Sequence, residues 1–538
     1  GKETSQQAGL KWGAMNELSG TAAAANLIGG RWDLLSGAKL VSHNPARPSQ
    51  TIWSGSPTVA AVDHAVRAAS AALPLWRQRP IEQRAAVLRR FAALATKHQS
   101  SVAESLCDEV GKVLWESKQE AALLSAKVDI TLDPSPQGGL HRVTPFALSI
   151  SPTRDGRCLF RPHGVMAVLG PFNFPVHLPN GHIVPALLMG NTVVFKPSDK
   201  APAAGQILAR LFDTALREEL GDDGAAGVFN LVHGGADVAS SLVSHEGLDG
   251  ICFTGSWGVG RKILAANLDR PGRIVALELG GNNAAIVMDD ADLRQAAVEI
   301  VRCAFNTTGQ RCTSTRRAII HAAVAPRLIR AICKAATNLI IGPPRAAHPV
   351  FMGPMISAAA RESVLAFQRG ARQSPGCEVL VEAAAIEQDG GYYVSPGVMV
   401  VDGFTRSDAD VDVGGGGAGA DCEVFGPLLR ISVVDSFDEA LRQANATEFG
   451  LAASLFSKNA ALIERFLMEA RAGCLNINTG TAGASGKLPF GGLGLSGNHR
   501  PAGAFALDYC AHPVAAMVET ADAQTVAVGM RFEDSWVA

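Results

Sequence analysis

A regular alternation constrains the fold more than any other feature of the chain. Apolar runs that read as strands lie at 164–170 (GVMAVLG), 192–195, 228–232, 249–253 and 274–279. Between them, helices are expected at 177–188, 202–220, 236–243 and 259–268. A connection that holds a helix returns the chain so that the next strand runs parallel to the last. The same alternation restarts after Gly281, with strand 284–288, helix 291–306, strand 316–321 and helix 326–340. Strand 428–434 and helices at 437–445 and 459–472 continue it. A chain of 538 residues is too long for one core. The fold class is therefore α/β, with two doubly wound parallel-sheet domains.

The remaining segments are less regular. Residues 1–25 are polar and Ala/Gly-rich and read as a loose arm. Short strands and turns fill 26–53, and helices are expected at 58–75, from 81 to 95, and at 101–126. Residues 142–162 read as a β-hairpin around SPTRDG, and 511–519 as a strand that pairs outside its own domain. Residues 405–420 are acidic and then Gly-rich, and read as a flexible surface loop.

Composition narrows the function. A net charge of −2, with 18% charged residues, provides no positive field for nucleic acid or an anionic membrane. No apolar run reaches the roughly 18 residues that a membrane span needs. Ten scattered cysteines form no CxxC pair, which favours free thiols in a reducing, cytoplasmic setting over disulfides or a zinc site. His177 and His182 lie five apart without a third ligand, so no metal is expected.

The chemistry centres on FNTTGQRCTSTRR at 305–317. Its small polar residues place Cys312 in an exposed turn or at a helix start, where backbone N–H groups make a thiol more acidic. The commoner fate of a cysteine is burial without function. Three other stretches change that balance: GPFNFP at 170–175, LELGG at 277–281 and EVFGP at 423–427. They add Asn173, Glu278 and Glu423, each close to Gly or Pro. Together these residues supply a nucleophile, an oxyanion donor, a base and a cofactor clamp. The turn FTGSWGVG at 253–260 contains Gly255, Ser256 and Gly260 between a strand and a helix. Such a turn suits a pyrophosphate, although similar turns also merely pack a helix on a sheet.

In this order and spacing, the four stretches resemble the aldehyde dehydrogenase superfamily from about Ile28 onward. Three longer runs are closer still to the group within it that acts on N-succinylglutamate 5-semialdehyde in arginine catabolism. They are RPHGVMAVLGPFNFPVHLPNGHIVPALLMGNTVVFKPS, GQRCTSTRR and PFGGLGLSGNHRPAGAFALDYCAHP. The resemblance implies that Cys312 attacks the aldehyde, with Asn173 and the Cys312 N–H stabilising the oxyanion. Glu278 then activates water, giving a free acid. Lys196 and Asp199 hold the adenine ribose of NAD, with NADP possible. Glu423 clamps the nicotinamide ribose and Phe425 packs beside it. Residues 26–141 with 163–281 would form the dinucleotide-binding domain and 282–500 the catalytic domain. Residues 142–162 with 501–538 would bridge subunits of a homodimer or homotetramer.

Two positions depart from the commoner pattern: His182 stands where many relatives have lysine, and Asp199 where glutamate is usual. A substrate with two distal carboxylates needs cations set back from the nucleophile. Arg311 and Arg500 are the first candidates, with His177 and Phe172 on the aldehyde side. Arg316 and Arg317 are further candidates, or braces for the loop. Two alternatives remain, a different carboxylated semialdehyde and a catalytically idle scaffold. NADH formation with any aldehyde separates the second from the rest.

Overall fold

The computed structural model describes residues 23–406, 417–521 and 526–538. Most of the expected N-terminal arm and the centre of the Gly-rich loop, 1–22 and 407–416, lie outside the described residues.

Every residue of the strand Val165–Leu169 is buried. Met166 and Val168 join one apolar cluster, while Val165, Ala167 and Leu169 join another on the opposite face. This period-two division places the strand inside a sheet covered on both sides. The sheet has seven strands, in the order Ile274–Glu278, Gly250–Thr254, Val165–Leu169, Thr192–Lys196, Phe229–Leu231, Ala25–Ile28 and Arg31–Leu34. Its first five strands are parallel, and the N-terminal hairpin closes the edge antiparallel.

The second seven-stranded sheet runs Glu378–Val381, Gly397–Val400, Leu428–Val434, Thr315–His321, Asn283–Val287, Ala452–Phe456 and Cys474–Ile477. All neighbours are parallel except the first pair. Ala452–Phe456 was not anticipated. Its short apolar run carries no period of its own, yet it pairs with Asn283–Val287 in the sheet interior.

The expected third helix is two helices, Gln99–Val110 and Leu114–Leu132. Gly111 ends the first in a left-handed conformation (φ 74°), and a Cβ there would meet Pro354 Cγ at 2.7 Å. The break lets the second helix run alongside the active-site loops described below.

A third sheet consists of Phe146–Ser151, Arg154–Pro162 and Ala511–Glu519. The strand at 511–519 pairs with 154–162 along its whole length, from Ala511 opposite Pro162 to Glu519 opposite Arg154. The tail strand, expected to pair outside its own domain, thus pairs with the hairpin of the same chain. No helix among the described residues is long and apolar enough to cross a membrane.

Candidate active site

Four parallel strands of the first sheet end at Leu169, Lys196, Thr254 and Glu278. All four residues line one cleft of about 700 Å³. Ligands of open parallel sheets bind outside these carboxyl ends. Loops of the second sheet close the cleft with Cys312, Glu423 and Phe425. The cleft thus brings together Cys312, Glu278, Asn173, Phe172, Lys196, Asp199, Gly255, Ser256, Glu423 and Phe425.

Glu278 ends its strand and is 1% exposed. Among the described residues, neither carboxylate oxygen has a partner within hydrogen-bond geometry, the Cys312 thiol being its nearby polar neighbour. Burial pushes its pKa up to about 8; the Cys312 thiol opposes this rise and Glu423 adds to it. A carboxyl group with that pKa accepts a proton near neutral pH.

Cys312 is half-buried. The expectation of an acidified thiol does not hold in this arrangement. Burial and the carboxylates of Glu278 and Glu423 push its pKa well up, with Arg311 the opposing charge. The sequence shows the polar residues next to Cys312 but not the carboxylates that the fold brings from 278 and 423.

Asn173 is tied to the nucleophile segment, its Nδ2 donating to the Gln310 carbonyl at 2.9 Å. Its Oδ1 accepts from the Phe174 N–H at 3.0 Å, which fixes the orientation of the amide. A thiol, an oriented amide and a buried carboxyl in one cleft can provide nucleophile, oxyanion donor and base.

The cofactor side has the right donors. Gly255, Ser256 and Trp257 form the start of the helix Trp257–Ala265 on the cleft wall, and Ser256 Oγ caps it by accepting from the Val259 N–H. A helix N-terminus presents N–H groups to a phosphate. Lys196 is buried, its Nζ donates to the Pro197 carbonyl at 2.9 Å, and burial pulls its pKa down to about 8 against the charge of Asp199. Glu423 lies on Gly280, where a Cβ would fall 1.8 Å from Glu423 Oε2, so any side chain there would displace the Glu423 carboxylate. These groups fit a dinucleotide.

Other candidates are placed differently. Gly260 is not on the cleft wall; it packs the helix against Leu279, where a Cβ would meet Leu279 Cδ2 at 3.0 Å. Phe172 packs edge-on to Phe425 at 6.0 Å on the cleft wall. Arg311, like Arg500, lies off the cleft wall; it faces Glu116 at 3.9 Å, with its guanidinium 4.9 Å from the Phe174 ring centre and its buried Nε without a partner among the described residues. His177, also off the cleft wall, packs against the same ring at 6.3 Å, with Nδ1 unpartnered among the described residues. Burial, reinforced by Lys127, Lys112 and Arg311, pulls its pKa down to about 3, which keeps it neutral. Arg500 lies off the cleft wall and donates to the Gly492 carbonyl at 2.7 Å. His182 contacts Tyr509 OH at 2.6 Å and Thr254 Oγ1 at 3.4 Å, away from any partnership with His177.

Three acidic and basic residues on or before the helix Leu114–Leu132 escaped the sequence reading. Glu120 accepts from the Val176 and His177 N–H groups, both at 3.2 Å, and pairs with the buried Lys112. Glu116 accepts from Thr307 N–H at 3.0 Å and its Oγ1 at 2.8 Å. Thr307 and Thr308 have φ of 51° and 55°, a strained conformation for β-branched residues. The four-residue spacing of Glu116 and Glu120 was the available signal, but it equally fits a solvated helix face.

The model of the aldehyde dehydrogenase family matches residues 35–514. N-succinylglutamate 5-semialdehyde dehydrogenase 2 of Caulobacter vibrioides is 42% identical over 493 residues, covering 91% of this chain and 95% of that protein. Among solved structures, 1-pyrroline-5-carboxylate dehydrogenase from Thermus with bound NAD superposes with a TM-score of 0.81 at 28% identity, covering 92% of this chain and 93% of that one. NADP-dependent glyceraldehyde-3-phosphate dehydrogenase from Bacillus halodurans C-125, complexed with NADP, gives a TM-score of 0.81 at 27% identity, covering 93% and 100%.

Proposed function

Because the chain belongs to the aldehyde dehydrogenase family, and so oxidises an aldehyde with NAD(P), we propose that its substrate is N-succinyl-L-glutamate 5-semialdehyde. The product is N-succinyl-L-glutamate, formed in arginine catabolism. The observation that carries this reading is the 42% identity to a protein of that name along 91% of the chain. Initial rates on a panel of semialdehydes test it. A higher kcat/KM for a different carboxylated semialdehyde would overturn the substrate and leave the chemistry standing.

Cys312 attacks the aldehyde carbon and forms a thiohemiacetal. Asn173 Nδ2 and the Cys312 N–H hold the oxyanion. A bound nicotinamide would supply the hydride acceptor for this adduct, leaving a thioester on Cys312. Glu278 takes a proton from water, which attacks the thioester and releases the acid. Glu423, Lys196, Ser256 and Gly255 would hold the cofactor, with Phe425 on the same cleft wall. Residues 26–141 with 163–281 serve the cofactor, 282–500 the nucleophile, and 142–162 with 501–538 the bridge.

NAD is the preferred cofactor. Exposed Asp199 lies at the cleft mouth and repels a ribose 2′-phosphate. We expect kcat/KM for NAD to exceed that for NADP by about tenfold, a difference of about 1.4 kcal/mol. A preference for NADP sinks the assignment.

Arg311 reads a distal substrate carboxylate. Among the described residues its buried Nε has no partner, nor has Nδ1 of His177, whose side chain packs on the same phenylalanine. Arg311→Met should raise KM for the dianionic substrate about tenfold more than for a neutral short aldehyde. Equal losses on both would show that Arg311 only supports the loop. Arg500, tied to Gly492, is the weaker anchor.

The chain forms a homodimer or homotetramer in the cytoplasm. Phe146, Leu148, Ile150 and Met517 are 56, 48, 51 and 59% exposed. Register puts them on one face of the three-stranded sheet, since Leu148 and Met517 both oppose Gly156. Such an apolar face is characteristic of an interface. Light scattering should give at least twice the chain mass of 56.1 kDa, and a monomer would refute this. All ten cysteines are free, which fits a reducing compartment.

A further inference from the structure

Arg316 is 1% exposed, and all five of its N–H groups are used. Nε donates to the Gly281 carbonyl at 2.9 Å. Nη1 donates to the carbonyls of Gly309 at 3.2 Å and Val424 at 2.6 Å. Nη2 donates to the Arg311 carbonyl at 2.8 Å and to Glu423 Oε1 at 3.1 Å. The guanidinium carbon also lies 5.2 Å from the centre of the Phe425 ring.

These five acceptors come from three loops that are distant in sequence. Gly281 belongs to the turn that leaves Glu278, Gly309 and Arg311 lead into Cys312, and Glu423 and Val424 form the third loop. The next residue, Arg317, points to the other face of the strand Thr315–His321. It donates to the carbonyls of Asn282, Gln443 and Ala444, at 2.7, 2.8 and 2.9 Å, and takes no part in the cleft. Side-chain alternation thus commits one arginine to the site and the other to the domain interior.

We propose that Arg316 is a positioning residue that sets the mutual placement of Glu278, Cys312 and Glu423, and so couples cofactor capture to both chemical steps. The proposal acts through the roles assigned to those three residues above. The planar five-donor fork is the reason for arginine at this place, since lysine carries three donors on a single nitrogen. Removing the fork leaves carbonyls and a carboxylate buried and unpaired, and each loop is then free to settle separately. Among the described residues, Glu423 then keeps only the Gly281 N–H, at 3.1 Å. Burial pushes the Glu423 carboxyl towards its neutral form, and the Arg316 charge opposes that.

The test is Arg316→Lys, with every rate counted per titratable Cys312 thiol. We expect the Kd for NAD, read by fluorescence, to rise about tenfold. Single-turnover NADH formation and thioester hydrolysis should each slow about tenfold or more. Loss of thermal stability or of titratable sites, with Kd and both per-site rates at wild-type values, would make Arg316 merely structural and overturn the proposal. A change in only one of the three quantities would also overturn it. If Arg316→Lys does not fold, the wild type decides. On NAD addition, hydrogen exchange should slow together in peptides covering 278–281, 309–312 and 423–425. Protection confined to 423–425 would overturn the coupling. A wild type inactive towards every aldehyde would instead overturn the functional reading, and the exchange experiment would still report on the coupling.

Discussion

Cys312→Ser should lower NADH formation by on the order of 10⁴-fold or more, while the Kd for NAD and the thermal midpoint stay close to wild type. The substitution exchanges sulfur for oxygen and leaves the shape of the cleft nearly unchanged. The difference is chemical. Cys312 already has a pKa raised by burial and by two carboxylates, and a hydroxyl in its place would be far harder to ionise. Absorbance of NADH in steady state and in a single turnover measures the loss. Activity above about one per cent of wild type would remove Cys312 from the nucleophilic role.

Glu278→Gln should divide the reaction in two. About one NADH per site should form in a burst, and steady turnover should then fall by about 10²–10⁴-fold as the thioester accumulates. Near neutral pH the buried Glu278 is largely protonated, and glutamine resembles that state. The substitution also removes one of the carboxylates that hold the Cys312 pKa up, so hydride transfer retains its nucleophile. Water, by contrast, loses its base. In the wild type the hydrolytic step needs ionised Glu278, so its rate should rise with pH and level off above about 8. Rapid mixing at several pH values should find that limb in the wild type and not in Glu278→Gln. Fast steady turnover in the variant would show that another base does the work.

The alternation of strands and helices, and with it the parallel sheets, followed from local pattern. Runs such as GVMAVLG and the apolar segment before Lys196 form strands because their hydrophobic content demands burial on both faces. The four short motifs were legible for a related reason. Each couples a reactive side chain to Gly or Pro, and these residues dictate the local backbone wherever the chain goes. Gly280 is an example, since any side chain there would collide with Glu423.

What the sequence withheld depends on which distant segments meet. Ala452–Phe456 enters the sheet interior because Asn283–Val287 offers it an open edge, which no local period announces. The tail 511–519 finds 154–162 across more than 300 residues. The Cys312 thiol was expected to be acidic from its polar neighbours in the chain, and its pKa is instead raised by burial and by carboxylates from two other loops. The direction of Arg316 and Arg317 followed the same logic. The run of two arginines was visible, but the faces they serve depend on which loops the folded sheet carries on each side. Periodicity and turn chemistry are properties of adjacent residues and can be read in one dimension. Electrostatics and hydrogen-bond partnership depend on distances in space, which only the packed structure sets.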